Sequence, residues 1–197
     1  MDGDLGIIQK SHLFIFKEFN VALRAPNPSL LHLAVSAVLT VWPWQAGAFD
    51  ATKLEDFKTT NVCKYCDLSD APMAGRDMRG ADFQNANLSG AVMSKANMAE
   101  RPMEKRTLVT NFEDANLRRA DFSAANLHLA NFTNAYLREA NLTGADLSDA
   151  VLTKANLKGA VLSGANLKGA KLDDAKLDDA KFCKTVMPDG TVNDSGC

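Results

Sequence analysis

The sequence predicts an all-β solenoid, and the main observation behind this prediction is a five-residue repeat from Cys66 to Phe182. Each unit has a small residue, usually Ala, then Asn or Asp, then Leu, Phe or Met, then two mostly polar or small positions, as in Ala140-Asn141-Leu142-Thr143-Gly144. Short fixed periods are typical of solenoids, in which each unit buries its apolar side only against its neighbours. A period of five fits neither the helical 3.6 nor the strand period of two.

Each unit is expected to be a short extended piece followed by a corner. The Ala and the large apolar residue, called the centre here, are two positions apart and therefore point to the same side of an extended chain. The next Ala is three positions after a centre, so the two side chains would point to opposite sides of a continuous extended chain. The chain must turn between them to keep both on the same side. Gly, Asp and Ser at the following positions suit such turns. A helix is excluded, because a step of about 500° per unit would spread the centres around it.

The repeat, seen again in Ala155-Asn156-Leu157-Lys158-Gly159 and Ala165-Asn166-Leu167-Lys168-Gly169, resembles that of the pentapeptide repeat proteins. The resemblance implies a right-handed β-helix of quadrilateral section with four units per coil. It places the Ala residues and the centres inside. Because stacked strands lie about 4.8 Å apart, five to six coils would form a rod roughly 25–30 Å long.

The first 48 residues are predicted to be a signal peptide or targeting segment. Lys17 and Arg24 precede an apolar run from Leu30 to Trp42, and Ala46-Gly47-Ala48 supplies small residues for cleavage after Ala48. The run is short for a membrane span, so we expect no stable membrane insertion after cleavage. An uncleaved anchor and an over-long start remain alternatives, because the leading part is unusually long and acidic. Periplasm and thylakoid lumen fit this signal equally.

The remaining chain divides into an N-terminal cap (49–65), the repeat domain (66–184) and a C-terminal hairpin cap (185–197). A short amphipathic helix is predicted from Asp50 to Thr60, with Leu54 and Phe57 on one face. The stretch from Thr185 to Val192 carries a Pro-Asp-Gly turn between β-prone residues, which predicts a hairpin. We expect both segments to cover the open ends of the solenoid, since exposed strand edges invite aggregation.

The repeat loses its register once, between Met98 and Phe112, and residues 99–111 there are rich in charge. The simpler interpretation, which we favour, is a loop or a one-residue deletion that the solenoid absorbs. The alternative is a projecting recognition loop, because loops on rigid scaffolds often bind partners.

Four cysteines bracket the repeat: Cys63, Cys66, Cys183 and Cys197. Exported chains meet oxidising conditions, which favours disulfides. The two ends of the rod are too far apart to be bridged, since a disulfide needs Cα atoms about 4.4–6.8 Å apart. The pairs Cys63–Cys66 and Cys183–Cys197 are therefore expected. A redox role for Cys63-Lys64-Tyr65-Cys66 is the alternative, although no thioredoxin-like βαβ pattern surrounds it. The same separation argues against a metal site built from all four thiolates.

No catalytic constellation is found in the sequence. His128 is the one histidine beyond the apolar run, and it follows a centre at an outward position. Some pentapeptide repeat proteins mimic DNA, but residues 64–182 carry 16 Lys plus Arg and 16 Asp plus Glu. A mimic of duplex DNA needs about one negative charge per 1.7 Å of its axis. We therefore expect no enzyme, no cofactor and no nucleic-acid partner.

Positions twenty apart should lie one above another on neighbouring coils. This spacing stacks Arg118, Arg138 and Lys158 into a column just after the centres. Like charges stacked in this way are mildly destabilising, so a binding role would explain why they are present. The sequence thus predicts a non-catalytic exported scaffold, a protein-interaction or structural module whose protein partner is unknown, with a homodimer possible. The column is a candidate surface for an anionic partner. A cytoplasmic regulator of a nucleic-acid enzyme and a thiol-redox protein are the alternatives, and solvation of the rod is the plainer explanation of the charges.

Overall fold

The computed structural model describes residues 49–104 and 106–197, so the expected signal segment lies outside the described residues. The repeat domain is built from coils that stack through parallel backbone bridges. Asp67 pairs with Asn87 and Asn111 with Asn131, and the side chains of each pair are also hydrogen-bonded across a separation of 20 residues. Four five-residue units therefore complete one coil.

The bridges form four stacks, which we number in chain order. In each stack, the residue before a centre pairs with its counterpart in the next coil. Stack 1 contains Val62, Asp82, Asn111, Asn131, Val151 and Lys171; stack 2 contains Asp67, Asn87, Asn116, Tyr136, Asn156 and Lys176; stack 3 contains Pro72, Val92, Asp121, Asn141, Val161 and Lys181; stack 4 contains Asp77, Asn97, Asn126, Asp146, Asn166 and Val186.

The Asn or Asp before each centre stabilises the corner that follows. Asn131, for example, accepts hydrogen bonds from the backbone N–H and the hydroxyl of Thr133 through Oδ1, and donates from Nδ2 to Asn111 in the preceding coil. This is the Asx-turn geometry, in which a short polar side chain replaces a backbone acceptor. One side chain thus closes a corner and ties two coils together, which explains why the position is Asn or Asp so often.

The interior consists of the small residues and the centres, as the repeat pattern predicts. Ala115, Leu117 and Ala120 are fully buried, and the same holds for most corresponding positions through Leu167. Four aromatic rings stack near the N-terminal end, with centroids 4.8 Å apart from Phe57 to Phe83, 5.1 Å from Phe83 to Phe112 and 4.8 Å from Phe112 to Phe132. The core is therefore a filled column of side chains.

Helix α1 spans Ala51–Thr60 and packs on the first coil. Asp50 is its N-cap and accepts from the backbone N–H groups of Thr52 and Lys53, which satisfies two donors that a helix start leaves free. Leu54 and Phe57 are its buried residues. Phe57 lies on the ring of Phe83 and extends the aromatic stack by one member.

The register break is an insertion that forms a hairpin, so the interpretation as a one-residue deletion is wrong. Asn87 pairs with Asn116 across 29 residues where the other coils have 20, so one coil holds nine additional residues. Strand β1 (Arg101–Met103) pairs antiparallel with β2 (Arg106–Leu108), and almost all of their residues are exposed. The solenoid resumes its register after the hairpin.

Gly80 and Thr110 hold the base of this hairpin. A Cβ on Gly80 would lie 2.9 Å from Cβ of Leu108 and 3.1 Å from Cβ of Arg101, so only a glycine fits beneath the two strands. The hydroxyl of Thr110, which is fully buried where most units have Ala, accepts from the backbone N–H of Gly80 and donates to the carbonyl of Met78. The hairpin is thus attached to the preceding coil as well as to its own.

At the C-terminal end, β3 (Thr185–Val186) pairs antiparallel with β4 (Val192–Asn193). The backbone N–H of Gly196 donates to the carbonyl of Phe182 at 2.6 Å. Residues 192–197 therefore add one layer over the last members of stacks 3 and 4. Stacks 1 and 2 carry no such layer among the described residues, since no backbone hydrogen bond joins residues 192–197 to residues 171–180.

Replacing Phe57 with Ala should destabilise the N-terminal end. The change removes a ring that is 3% exposed and leaves a cavity over Phe83, which typically costs about 3–5 kcal/mol. The measurement is the free energy of unfolding in urea. Lys53→Ala, on the exposed side of the same helix, should change it by less than about 0.5 kcal/mol. Equal effects of the two changes would contradict this role for the helix.

Replacing Gly80 with Ala should displace the hairpin. Gly75→Ala is the matched control, because Gly75 has nearly the same φ (+66° against +64°) but no atom within 4 Å of its added Cβ. Both changes carry the strain of a left-handed Ala, about 1–2 kcal/mol. Only Gly80→Ala should also speed tryptic cleavage after Arg106, since trypsin does not cleave the Arg101–Pro102 bond. Identical cleavage rates for the two variants would show that the hairpin does not rest on Gly80.

Candidate interaction surfaces

Arg118, Arg138 and Lys158 occupy three successive coils along stack 2. The backbone N–H of Arg119 donates to the carbonyl of Arg138, and that of Glu139 donates to the carbonyl of Lys158, each at 3.0 Å. The structure therefore brings together the three residues that the spacing of twenty selects. Their side chains are between two-fifths and one-half exposed.

One carboxylate, Glu139, lies among three guanidinium groups. Its nearest oxygens are 2.8 Å from Nε of Arg119, 3.8 Å from Arg138 and 4.0 Å from Arg118. The hydrogen bond from Arg119, helped by the charges of all three arginines, lowers the pKa of Glu139. The three arginines and Glu139 together carry a net charge of +2, and Lys158 lies 3.6 Å from Asp179.

The cationic cluster, defined as Arg118, Arg119, Arg138, Glu139 and Lys158, also has unsatisfied hydrogen-bonding capacity. Nε of Arg138 is buried and has no hydrogen-bond partner among the described residues. Buried donors are satisfied in most native structures, so a donor without an acceptor calls for an explanation. Because this atom is buried, an acceptor from outside the chain could reach it only after the side chain moves.

Tyr136 lies beside the cluster in the same stack, and it is 55% exposed. Tyrosine and arginine are the residues enriched among those that dominate binding energy at protein interfaces. Sequence reasoning missed Tyr136 and the central place of Glu139. The signal was available, because Tyr136 follows Asn116 and Glu139 follows Arg119 by the same twenty positions.

The β1–β2 hairpin offers a second exposed surface. Met103 is 51% exposed and Val109, just after β2, is 39% exposed. Arg101, Arg106 and Glu104 surround them with mixed charge. The hairpin thus projects from the solenoid and exposes both apolar and charged groups, whereas the exposed residues of stack 2 form a row along one side.

The four cysteines form two pairs at disulfide distance, one at each end of the repeat. The Cα atoms of Cys63 and Cys66 are 5.4 Å apart, and those of Cys183 and Cys197 are 4.8 Å apart. The second pair joins the last residue of the chain to the last coil. This pair therefore holds the C-terminal residues over Phe182, to whose carbonyl Gly196 is hydrogen-bonded.

The described residues give little support for a catalytic or metal site. Nδ1 of His128 lies 2.9 Å from both the carbonyl oxygen and the hydroxyl of Ser148, so it belongs to a contact between coils. No group of three His, Cys, Asp or Glu side chains in residues 49–104 and 106–197 could hold a metal ion. No helix in the same residues is long and apolar enough to cross a membrane.

Breaking the C-terminal cysteine pair should loosen that end alone. The double change Cys183→Ser and Cys197→Ser opens a loop of 14 residues, which the chain-entropy model values at about 3 kcal/mol. The measurement is the free energy of unfolding of oxidised protein, with the amide exchange of Gly196 as the local readout. A reductant should remove the difference between the wild type and the variant, because both then lack the C-terminal link. Unchanged stability and unchanged exchange of Gly196 would contradict the link.

Among curated proteins, no sequence matches this chain. Solved structures that match include Rfr23 from the cyanobacterium Cyanothece 51142, at 25% identity and a TM-score of 0.40, with 69% of this chain and 97% of Rfr23 covered. HetL from Nostoc sp. PCC 7120, a pentapeptide repeat protein involved in heterocyst differentiation regulation, matches at 33% identity and a TM-score of 0.27, with 67% and 62% covered. A pentapeptide repeat protein from the thylakoid lumen of Arabidopsis thaliana matches at 29% identity and a TM-score of 0.32, with 59% and 72% covered.

The comparison with family models gives a direct assignment. The model described as pentapeptide repeats (8 copies) matches over residues 66–100, 110–149, 130–169 and 150–187. The residues left out between the first two ranges, 101–109, are those of the hairpin and the residue that follows it. Since the matched residues make up more than half of the 197, this chain belongs to the pentapeptide repeat family.

Proposed function

We propose that this chain is an exported, non-catalytic scaffold that binds a protein partner through acidic groups placed on the cationic cluster of stack 2. The observation that carries the proposal is the arrangement of Arg118, Arg119 and Arg138 around the single carboxylate of Glu139. Guanidinium groups bind carboxylates through paired, directional hydrogen bonds. An acidic partner would supply the acceptors that Glu139 alone cannot.

The rigidity of the scaffold is part of the proposal. We infer that the four stacks are the sides of a right-handed, four-sided β-helix, so that residues on one side keep fixed spacings. Stacked strands repeat about every 4.8 Å, and a row of cations at that spacing suits a partner that carries several carboxylates close together. Tyr136, beside the row, adds apolar contact area.

Export is supported by the cysteine pairs and by the pattern of the first 48 residues. Stable disulfides occur in oxidising compartments such as the periplasm, and the thylakoid lumen fits the same signal. N-terminal sequencing of the protein isolated from its native cell tests this part. The expected mature chain begins at Phe49, and a chain that still begins at Met1 would argue against export and cleavage.

Charge reversal in the cluster should weaken binding of an acidic ligand. Poly-glutamate serves as the probe, measured by titration at low salt. The double variant Arg118→Glu and Arg138→Glu should bind it at least about tenfold more weakly, which corresponds to about 1.4 kcal/mol. Lys154→Glu with Lys168→Glu is the control, since it reverses the same charge on stacks 1 and 4. Equal losses in both double variants would leave only a nonspecific charge effect and contradict the assigned surface.

Replacing Glu139 with Gln should have the opposite effect. The change removes the one carboxylate that the three arginines share, so their affinity for an added acidic ligand should rise. The same titration measures it, with Glu113→Gln on stack 1 as the control. Weaker binding by Glu139→Gln would mean that this carboxylate orients the arginines and does not compete with the ligand.

A further inference from the structure

Arg76 occupies an inward position of the repeat that is otherwise kept for small residues. It stands two positions before the centre Met78, where every other unit from Cys66 to Thr185 has Ala, Cys or Thr. Residues at this position point into the solenoid, because they lie two places from a buried centre on an extended chain. Arg76 lies in the first coil and is half-buried, so the N-terminal end of the core, and not its middle, accommodates the side chain.

A cleft of about 240 Å³ lies beside Arg76, between the end of helix α1 and the first coil. It is lined by the helix residues Phe57 and Lys58, by the C-terminal cap Asn61, and by residues 76–78 of the first coil. Phe57 and Met78 are at most 3% exposed, so they form the inner wall of the cleft. Pockets that hold drug-sized ligands have about 300–1,000 Å³, so this cleft fits a smaller molecule.

The carboxylates near the cleft already have cationic partners. Arg79 donates from Nε and Nη2 to the two carboxylate oxygens of Asp77, at 2.9 and 2.8 Å. These hydrogen bonds lower the pKa of Asp77, and the charge of Arg101 in β1 adds to the effect. Glu55 pairs with Lys58 one turn later in α1. Neither carboxylate is therefore left to pair with a further cation.

The guanidinium of Arg76 has neither an ion pair nor a hydrogen bond within residues 49–104 and 106–197. Its nitrogens are not enclosed by protein, so a molecule in the cleft has access to them. The C-terminal end of α1 also favours a nearby cation, but Arg76 donates to none of the helix carbonyl groups. A cation that is partly removed from water is costly unless it is paired. An anion from outside the chain would supply the missing partner.

We propose that the cleft binds a small organic monocarboxylate, whose carboxylate pairs with the guanidinium of Arg76 and whose short apolar part lies against Phe57 and Met78. A guanidinium matches a carboxylate through two parallel hydrogen bonds. The single unpaired cation among the described lining residues balances one negative charge, and the nearby carboxylate of Asp77 disfavours a doubly charged phosphate. The site is separate from the cationic cluster of stack 2, because Asp77 and its neighbours belong to stack 4.

Titration of the full-length protein with hydrocinnamate, a monocarboxylate with an apolar ring, tests the site. Heteronuclear NMR follows the Nε–Hε signal of Arg76 and the backbone amides of Asn61 and Met78, which should shift until the site is saturated. The neutral analogue hydrocinnamide should leave the Arg76 signal unmoved, and inorganic phosphate should bind there at least about tenfold more weakly. Shifts confined to other surfaces, such as the cationic cluster, would overturn the proposal. Phosphate binding of equal or greater strength at Arg76 would overturn it as well.

Substitutions at Arg76 separate a ligand site from a purely structural role. Arg76→Ala introduces the residue that most units have, and it should raise the dissociation constant of hydrocinnamate at least about tenfold. It should leave the midpoint of thermal unfolding unchanged, because the guanidinium has no partner to lose. Arg76→Lys keeps the charge without the paired donors and should also bind more weakly than the wild type.

Lys168→Ala is the control for these variants, since it removes a cation from an exposed position on the same stack and should bind hydrocinnamate like the wild type. Unchanged binding by Arg76→Ala overturns the proposal. A lowered unfolding midpoint in Arg76→Ala, together with an Arg76 signal that hydrocinnamate does not move in the wild type, also overturns it. Arg76 would then serve the end of α1 and not a ligand.

Discussion

The structure depends on backbone pairing between coils, because a five-residue unit has no stability of its own. A unit away from the two ends donates two N–H groups to the next coil and one to the preceding coil, as Leu137, Glu139 and Tyr136 do. This pairing fixes which residues lie above one another. The buried Ala residues and centres, the Asn and Asp side chains at the corners and the rows of surface charge all follow from that register.

The fold was largely predictable because the period appears directly in the residues. Five positions per unit require a corner, and the Asn or Asp before each centre, such as Asn131, marks where the corner is closed. The nature of the register break was not predictable. Met98 and Phe112 are 14 positions apart, which is one fewer than three units and nine more than one unit. The count alone therefore does not distinguish a missing residue from nine added ones; the fold of the segment does. Gly80 makes room for the added hairpin, but a glycine at a corner is ordinary in this repeat.

The candidate site was predictable in part. The spacing of twenty selects Arg118, Arg138 and Lys158, and the structure stacks them. The ion pairs around Glu139 depend on side-chain directions at neighbouring corners, which a repeat pattern does not contain. The open edge at residues 171–180 was also missed, since the repeat continues there unchanged. Only the path of residues 192–197 decides which half of the end is covered.

The stacking of coils every twenty residues is the central claim, and cysteine cross-linking between coils tests it most directly. The backbone N–H of Ala124 donates to the carbonyl of Thr143, so residues 123 and 143 lie one above another on stack 3. With Cα atoms about 4.8 Å apart, Ser123→Cys and Thr143→Cys should form a disulfide within one molecule under mild oxidation. Ser123→Cys with Thr133→Cys, ten positions apart on different stacks, should not. Cross-linking of the second pair, or failure of the first in folded protein, would contradict the account.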